Sequence, residues 1–172
     1  MTAARRLFWT WCARPLFRWS PHTAYGFRRF LLRIAGARLG NRVRCRRSVD
    51  IDRPWQLRLG DLVMLSDEVV IRAAAPIEVG ARCVISQYCM LLTEVRNPEQ
   101  SDHPPMRGPI TVGDDCWIAT DSVVLPGSTL ESGVVVGARG LVDGRLEAWH
   151  IATGEPARPR HRRVLHGSPD TA

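Results

Sequence analysis

The fold is decided by residues 112–142, VGDDCWIATDSVVLPGSTLESGVVVGARGLV, in which an aliphatic residue returns at every sixth position. Val112, Ile118, Val124, Leu130, Val136 and Val142 make the track, and Ala148 closes it. Neither a helix, with period 3.6, nor a half-buried strand, with period 2, produces that spacing. A second, more compact track lies four residues behind: Cys116, Ser122, Ser128, Val134, Gly140 and Leu146. Small residues often follow the aliphatic one, as in Val112-Gly113, Ile118-Ala119 and Val136-Gly137. A six-residue period of this kind is the mark of a parallel β-helix.

Working outward, the upstream half carries the same spacing in three blocks: Leu39, Cys45, Ile51; Leu59, Leu65, Ile71; and Val79, Ile85, Leu91. The step is six within a block and eight between blocks, with Pro54 and Pro76 in the long steps. Proline lacks a backbone donor, so it suits a bent corner outside the ladder. The compact track persists as Val43, Val49, Val63, Val69, Cys83 and Cys89. A strand plus a turn in six residues gives one side of a triangle, and three sides give a coil that stacks on the next at roughly 4.8 Å. One coil cannot bury its own apolar face, so several must stack and the ends need covers. The expectation is an all-β prism of about five coils over residues 39–153, interrupted by a protruding loop at 94–111. The period does not fix the hand.

Composition adds bounds. The chain has 172 residues, 45% hydrophobic and 24% charged, enough for one packed domain. Its 24 basic residues are all arginine, and the net charge of +7 suits nucleic acid, a membrane surface or a phosphorylated cofactor. Four of the five cysteines, Cys45, Cys83, Cys89 and Cys116, sit on the inward tracks, and no C-x-x-C spacing exists. They read as core fillers, not as a metal or disulfide framework. Reduced thiols point to the cytoplasm. No stretch reaches the length of an apolar membrane span. Arg14 and Arg18 interrupt the apolar N-terminus, which lacks a small-residue cleavage site, so no signal peptide is expected.

Residues 1–38 lack the hexad and concentrate Trp9, Trp11 and Trp19 with Phe8, Phe17, Phe27 and Phe30. Phe27, Phe30, Leu31 and Ile34 fall on one face of a helix ended by Gly36. This segment reads as a helical cap over the first coil or as an amphipathic segment lying on a membrane. Residues 154–172 read as a basic tail that turns away from the last coil, with the final nine residues disordered.

Pro54-Trp55-Gln56-Leu57, Cys116-Trp117-Ile118-Ala119, Val136-Gly137-Ala138-Arg139 and Gly154-Glu155-Pro156-Ala157 together carry a resemblance. The chain resembles the left-handed β-helix acetyltransferases of the hexapeptide superfamily, of the colanic-acid-biosynthesis type, from about Leu16 to Arg163. The leader Arg28-Arg29-Phe30-Leu31-Leu32-Arg33 belongs to the same resemblance. It implies a homotrimer with the site between neighbouring prisms, acetyl-CoA as co-substrate and a sugar or lipid-linked sugar as acceptor, with no metal. It further implies a pantetheine groove at Trp117, Ala119, Thr120 and Ala138, and phosphate contacts at Arg158, extended by Arg160, His161, Arg162 and Arg163.

In that family the protruding loop carries a catalytic histidine in a Ser-His-Asp-like triplet. Here the place reads Val95-Arg96-Asn97. Arginine stays protonated and cannot serve as a base. His103 is the nearby imidazole and Glu94 a second candidate base. The third alternative is a protein that keeps the fold but has lost or slowed transfer, binding CoA or scaffolding an assembly. A nucleic-acid module is disfavoured, because outside the leader the arginines lack interleaved aromatics. For assembly, an outward apolar stripe of Met64, Val70, Val84, Met90, Trp117, Val123 and Val135 is expected to drive trimer formation.

Overall fold

The computed structural model describes residues 3–165 except Pro98, and side chains from residue 6 onward. Short strands alternate with turns and stack into three parallel sheets. The first face holds six strands, Arg38–Leu39, Leu57–Leu59, Ile77–Val79, Ile110–Val112, Thr129–Leu130 and Arg145–Leu146. The second holds Arg44–Cys45, Met64–Leu65, Val84–Ile85, Trp117–Ile118, Val135–Val136 and His150–Gly154. The third holds Asp50–Ile51, Val70–Arg72, Met90–Leu92, Val123–Val124 and Leu141–Val142. The result is a left-handed parallel β-helix of five complete coils and two sides of a sixth.

Register puts like residues in columns. Leu39, Leu59, Val79, Val112, Leu130 and Leu146 stack down the first face. Cys45, Leu65, Ile85, Ile118, Val136 and Ala152 stack down the second. Ile51, Ile71, Leu91, Val124 and Val142 stack down the third. All of these are buried except half-buried Leu39. Full burial of each Leu, Ile or Val contributes roughly 1.5–3 kcal/mol. Cys45, Cys83, Cys89 and Cys116 are buried free thiols, and burial pushes Cys45 up to about 12.

The turns explain the strict period. At the first corner Arg42, Leu62, Arg82, Asp115 and Trp149 take left-handed backbone, as do Glu68, Tyr88, Asp121 and Arg139 at the second. That conformation costs roughly 1–2 kcal/mol for a residue with a side chain. It is offset because the same amide bonds across coils: Leu62 donates to the Asn41 carbonyl at 2.8 Å and Arg82 to that of Asp61 at 2.7 Å. Gly40, Gly60 and Gly80 also stack at the first corner, and a Cβ at each would lie 2.7 Å from the next coil's backbone. The third corner is the variable one. It takes eight residues from Ile51 to Leu59, but only four from Val142 to Leu146. This shortening displaces the expected phase: Leu146, not Ala148, continues the first inward column.

The N-terminal segment closes one end. Coils exchange amide bonds in both directions, forward as in Gly40 to Leu59 and back as in Leu62 to Asn41, and the first coil has no coil before it to answer its remaining carbonyl groups. Side chains from the leader fill them. Trp9 Nε1 donates to the Ile51 carbonyl, Arg28 Nε to Cys45, Arg29 to Val43, and Arg33 to Leu39 and Gly40. The leader comprises helix Ala3–Phe8, a π-helical turn Trp9–Ala13, helix Arg14–Trp19 and helix Tyr25–Ile34. Trp9, Ala13 and Phe17 form its buried stripe, with the Trp9 and Phe17 rings edge to face at 6.2 Å. The Tyr25–Ile34 helix differs from expectation. It buries Arg28, Leu31 and Leu32, and turns Phe27, Phe30 and Ile34 outward. Arg28 wins the inward place because its fork reaches the Ser20 hydroxyl and the Pro21, His22 and Cys45 carbonyls at once.

Two other expectations are corrected. The 94–111 insertion is not an irregular loop throughout: Glu94–Arg96 and Pro105–Arg107 pair as an antiparallel hairpin. The expected basic tail begins as a strand, Ala157–Arg162, paired antiparallel with His150–Gly154 at the end of the second face. Val164 and Leu165 are exposed and without regular structure, and the rest of the expected disorder lies outside the described residues.

Candidate active site

The second corner gathers the residues expected to hold CoA. In-register pairing sets Ile85 beside Ile118, Ile118 beside Val136, and Val136 beside Ala152. The residues that follow stack in turn: Ser86-Gln87, Ala119-Thr120, Gly137-Ala138 and Thr153-Gly154. The amides of Ala119, Asp121, Gly137 and Arg139 donate across coils at 2.8–3.1 Å, whereas those of Thr120 and Ala138 stand outside this ladder. Backbone amides of that kind seek an acceptor. Close packing keeps the column narrow: a Cβ on Gly137 would lie 2.7 Å from Thr153 Cγ2. Thr120 Oγ1 donates to the Gln87 carbonyl at 3.0 Å. Trp117, beside the column on the second face, is 47% exposed, and its Nε1 donates to Ser86 Oγ at 2.9 Å.

The end strand brings cations to the foot of this column. Arg158 lies opposite Thr153 in the hairpin register and His161 opposite Ile151. Arg158 is exposed, its guanidinium bonded only to the Ala157 carbonyl, so its full charge faces outward. Arg160 leans on Thr153 Oγ1 at 3.2 Å. Arg163 is different: it donates to the Asp115 and Gly133 carbonyls and lies over the Trp149 ring, pinning the strand to the first corner. These bonds hold its guanidinium at the first corner, away from the column.

Arg96, Asn97 and His103 come together on the hairpin. Arg96 stands opposite Pro105, and its guanidinium donates to the His103 carbonyl at 3.1 Å. The exposed His103 ring places Nδ1 3.1 Å from the Asn97 carbonyl. With the proton on Nδ1 donating there, Nε2 keeps its lone pair and is the basic nitrogen. Glu94, the second candidate base, is ion-paired with Arg107 opposite it on the hairpin. Beneath the hairpin, Val95, Arg96 and Met106 face Leu125, Pro126 and Asp143 across a cleft of about 260 Å³.

Hairpin and column lie on different edges. The hairpin leaves the third corner; the column runs down the second; the third face separates them. Six residues at roughly 3.3 Å put on the order of 20 Å between the edges. Sequence reasoning missed Ser86 and Gln87 in the column and Asp143 in the cleft. Their signal was present, since 86 and 87 sit where 119 and 120 do in the repeat.

A left-handed prism with a small-residue corner and a hairpin arm defines the hexapeptide-repeat class of acyltransferases. No protein-family model matches the chain. It is 42% identical to WcaF of Escherichia coli (strain K12), a protein named for acetyl transfer in colanic acid biosynthesis, over 142 residues that cover 83% of this chain and 78% of WcaF. Its fold matches a galactoside acetyltransferase in complex with coenzyme A, with TM-score 0.87 at 19% identity, over 97% of this chain and 86% of that one. It also matches the hexapeptide-repeat acetyltransferase VCA0836 of Vibrio cholerae O1 biovar eltor, complexed with acetyl coenzyme A, with TM-score 0.84 at 22% identity, over 94% and 88%. The chain belongs to the WcaF family of acetyltransferases.

Proposed function

We propose that this chain is an O-acetyltransferase that moves acetyl from acetyl-CoA to a sugar hydroxyl in surface polysaccharide synthesis, working as a trimer on the cytoplasmic side. The reading is carried by the second-corner column, whose small residues, two amides outside the ladder and terminal arginine fit a long amide-bearing arm that ends in phosphates. The name of WcaF supports the acceptor class.

In this reading the thioester supplies the acetyl group. The Thr120 and Ala138 amides receive pantetheine carbonyls, Trp117 flanks the arm, and Arg158, with His161 near it, meets the phosphates. His103 Nε2 takes the proton of the acceptor hydroxyl, Asn97 fixes the ring through its carbonyl, and Arg96 steadies the hairpin while holding positive charge over the cleft. Because hairpin and column occupy different edges, the hairpin of one protomer serves the column of its neighbour. The outward residues support this packing. On the first face they are Arg38, Arg58, Glu78, Thr111, Thr129 and Arg145. On the second they are Arg44, Met64, Val84, Trp117, Val135 and Ile151, of which Val135 is already buried within the chain, and on the third Asp50, Val70, Met90, Val123 and Leu141. The expected single stripe is therefore two rows, one on either side of the column.

A second reading rests on Arg96, which stands where the family's loop histidine is expected: CoA binding retained with transfer slowed. Release of free CoA from acetyl-CoA in the presence of nucleotide-linked and lipid-linked sugars tests both. Under the first reading His103→Ala lowers kcat by roughly 10²–10⁴ with CoA binding kept. Turnover indifferent to His103→Ala but raised by Arg96→His would assign the chain to the second reading.

A further inference from the structure

The capped end of the prism carries an unbalanced charge and an uncovered apolar surface. The first 49 residues contain 12 arginines and not one aspartate or glutamate, whereas the remaining 123 contain 12 arginines and 17 acids. Folding neutralises little of this. Arg14 pairs with Asp50 and Arg46 with Asp67, but Arg28, Arg29 and Arg33 bond to carbonyl and hydroxyl oxygens, which leaves their charge uncancelled. Arg6, Arg18, Arg38, Arg42 and Arg47 are exposed and form no ion pair among the described residues.

Among these cations the leader's helices and its π-helical turn expose large apolar side chains to solvent. Trp19 is 88% exposed, Trp11 75%, Leu7 and Phe30 58%, and Phe27 and Ile34 over 40%. Trp9, Phe17, Leu31 and Leu32 lie in the core, and the exposed set has no cover among the described residues. Among the described residues no helix is long and apolar enough to cross a membrane. A surface helix with tryptophan, phenylalanine and leucine on one side and arginine around them suits the boundary between headgroups and acyl chains.

We propose that this end docks on an anionic lipid bilayer, with Trp11, Trp19, Phe27 and Phe30 entering the interface and the arginines around them meeting the headgroup phosphates. A second copy of the chain is a poor occupant, because a symmetric contact would set two surfaces of like charge against each other. Single-stranded nucleic acid would use the aromatic rings but has no use for the aliphatic Leu7, Leu16 and Ile34. The proposal stands apart from the acceptor and the chemistry, since binding alone reads it.

Co-sedimentation of the full chain with phosphatidylcholine vesicles containing about 30 mol % phosphatidylglycerol tests it. Binding is expected to the mixed vesicles, and at least roughly tenfold weaker to phosphatidylcholine alone or in high salt. Trp11→Ser with Trp19→Ser and Phe30→Ser should weaken it at least roughly tenfold with the melting temperature unchanged, and Arg6→Glu with Arg18→Glu should do the same. Vesicle binding indifferent to the aromatic changes overturns the proposal. So does a change of particle mass in solution on making them, which would assign the patch to a second copy. Tighter retention of a single-stranded oligonucleotide, lost on the same changes, would assign it to nucleic acid.

Discussion

Arg28 is the largest fully buried side chain, and its guanidinium answers the Cys45, Pro21 and His22 carbonyls and the Ser20 hydroxyl while lying 4.8 Å from the Tyr25 ring centre. Burial lowers its pKa from the ordinary value, so the fork is held charged at a desolvation cost that these partners offset. Arg28→Met should therefore cost about 3–5 kcal/mol by leaving several buried acceptors unanswered, read from the urea midpoint. Arg28→Lys should recover only part, because a point charge cannot copy the fork. Arg28 was legible only as one member of a basic leader. A charged residue on an amphipathic helix defaults to the solvent side, and nothing in local spacing marks position 28 as inward. The hexad positions were legible because each repeats its environment five times. The free amides of Thr120 and Ala138 were not, since hydrogen-bond partners are set by stacking between coils far apart in sequence.

At the scale of elements, Asp50 clamps the leader to the prism. It pairs with Arg14 of the second helix and, at 2.8 Å, with Arg72 one coil on. Burial alone would raise its pKa, but hydrogen bonds and charge from Arg72 and Arg14 outweigh that and hold it below the usual carboxylate value. A depressed folded-state pKa gives stability that is present above the unfolded value of about 3.9 and is lost as pH falls toward the folded value. The melting temperature should drop between about pH 5 and 3, and Asp50→Asn should flatten part of that drop while costing about 1 kcal/mol near neutrality, a figure discounted for solvent screening. Asp115 and Glu131, lowered mainly by hydrogen bonds from Arg82 and Arg145, keep the rest of the slope, so the difference between proteins isolates Asp50. The end strand gives a second test. Arg158→Ala should weaken CoA binding by about 1–3 kcal/mol in a calorimetric titration with the fold intact, because it removes charge-assisted bonds from an exposed side chain. Both this strand and the hairpin arm were underread as loop and tail. Prolines at 104, 105, 156 and 159 signal departure from the prism, and a two-stranded departure looks the same in sequence as an irregular one.

For the whole molecule, the polarity of its three faces is the dominant fact. One face is mostly charged outside; the other two, past Arg44 and Asp50 of the first coil, carry apolar rows on either side of the candidate site. Sedimentation at micromolar concentration should give a trimer mass, and Val84→Glu with Val123→Glu should yield monomers that keep the strand signature in circular dichroism. A monomeric parent would remove the intersubunit site along with the assembly.

The guanidinium and indole groups over the first coil have a further consequence. Like any sheet edge, each end of a stack of parallel coils presents unpaired carbonyl and amide groups. Two such stacks could join head to tail without limit, since every junction would reproduce the ladder within. Covering the first coil is enough to forbid this, because unlimited head-to-tail joining needs both ends open. What remains open to a further copy is the side of the prism, where a contact whose rotation closes gives a ring.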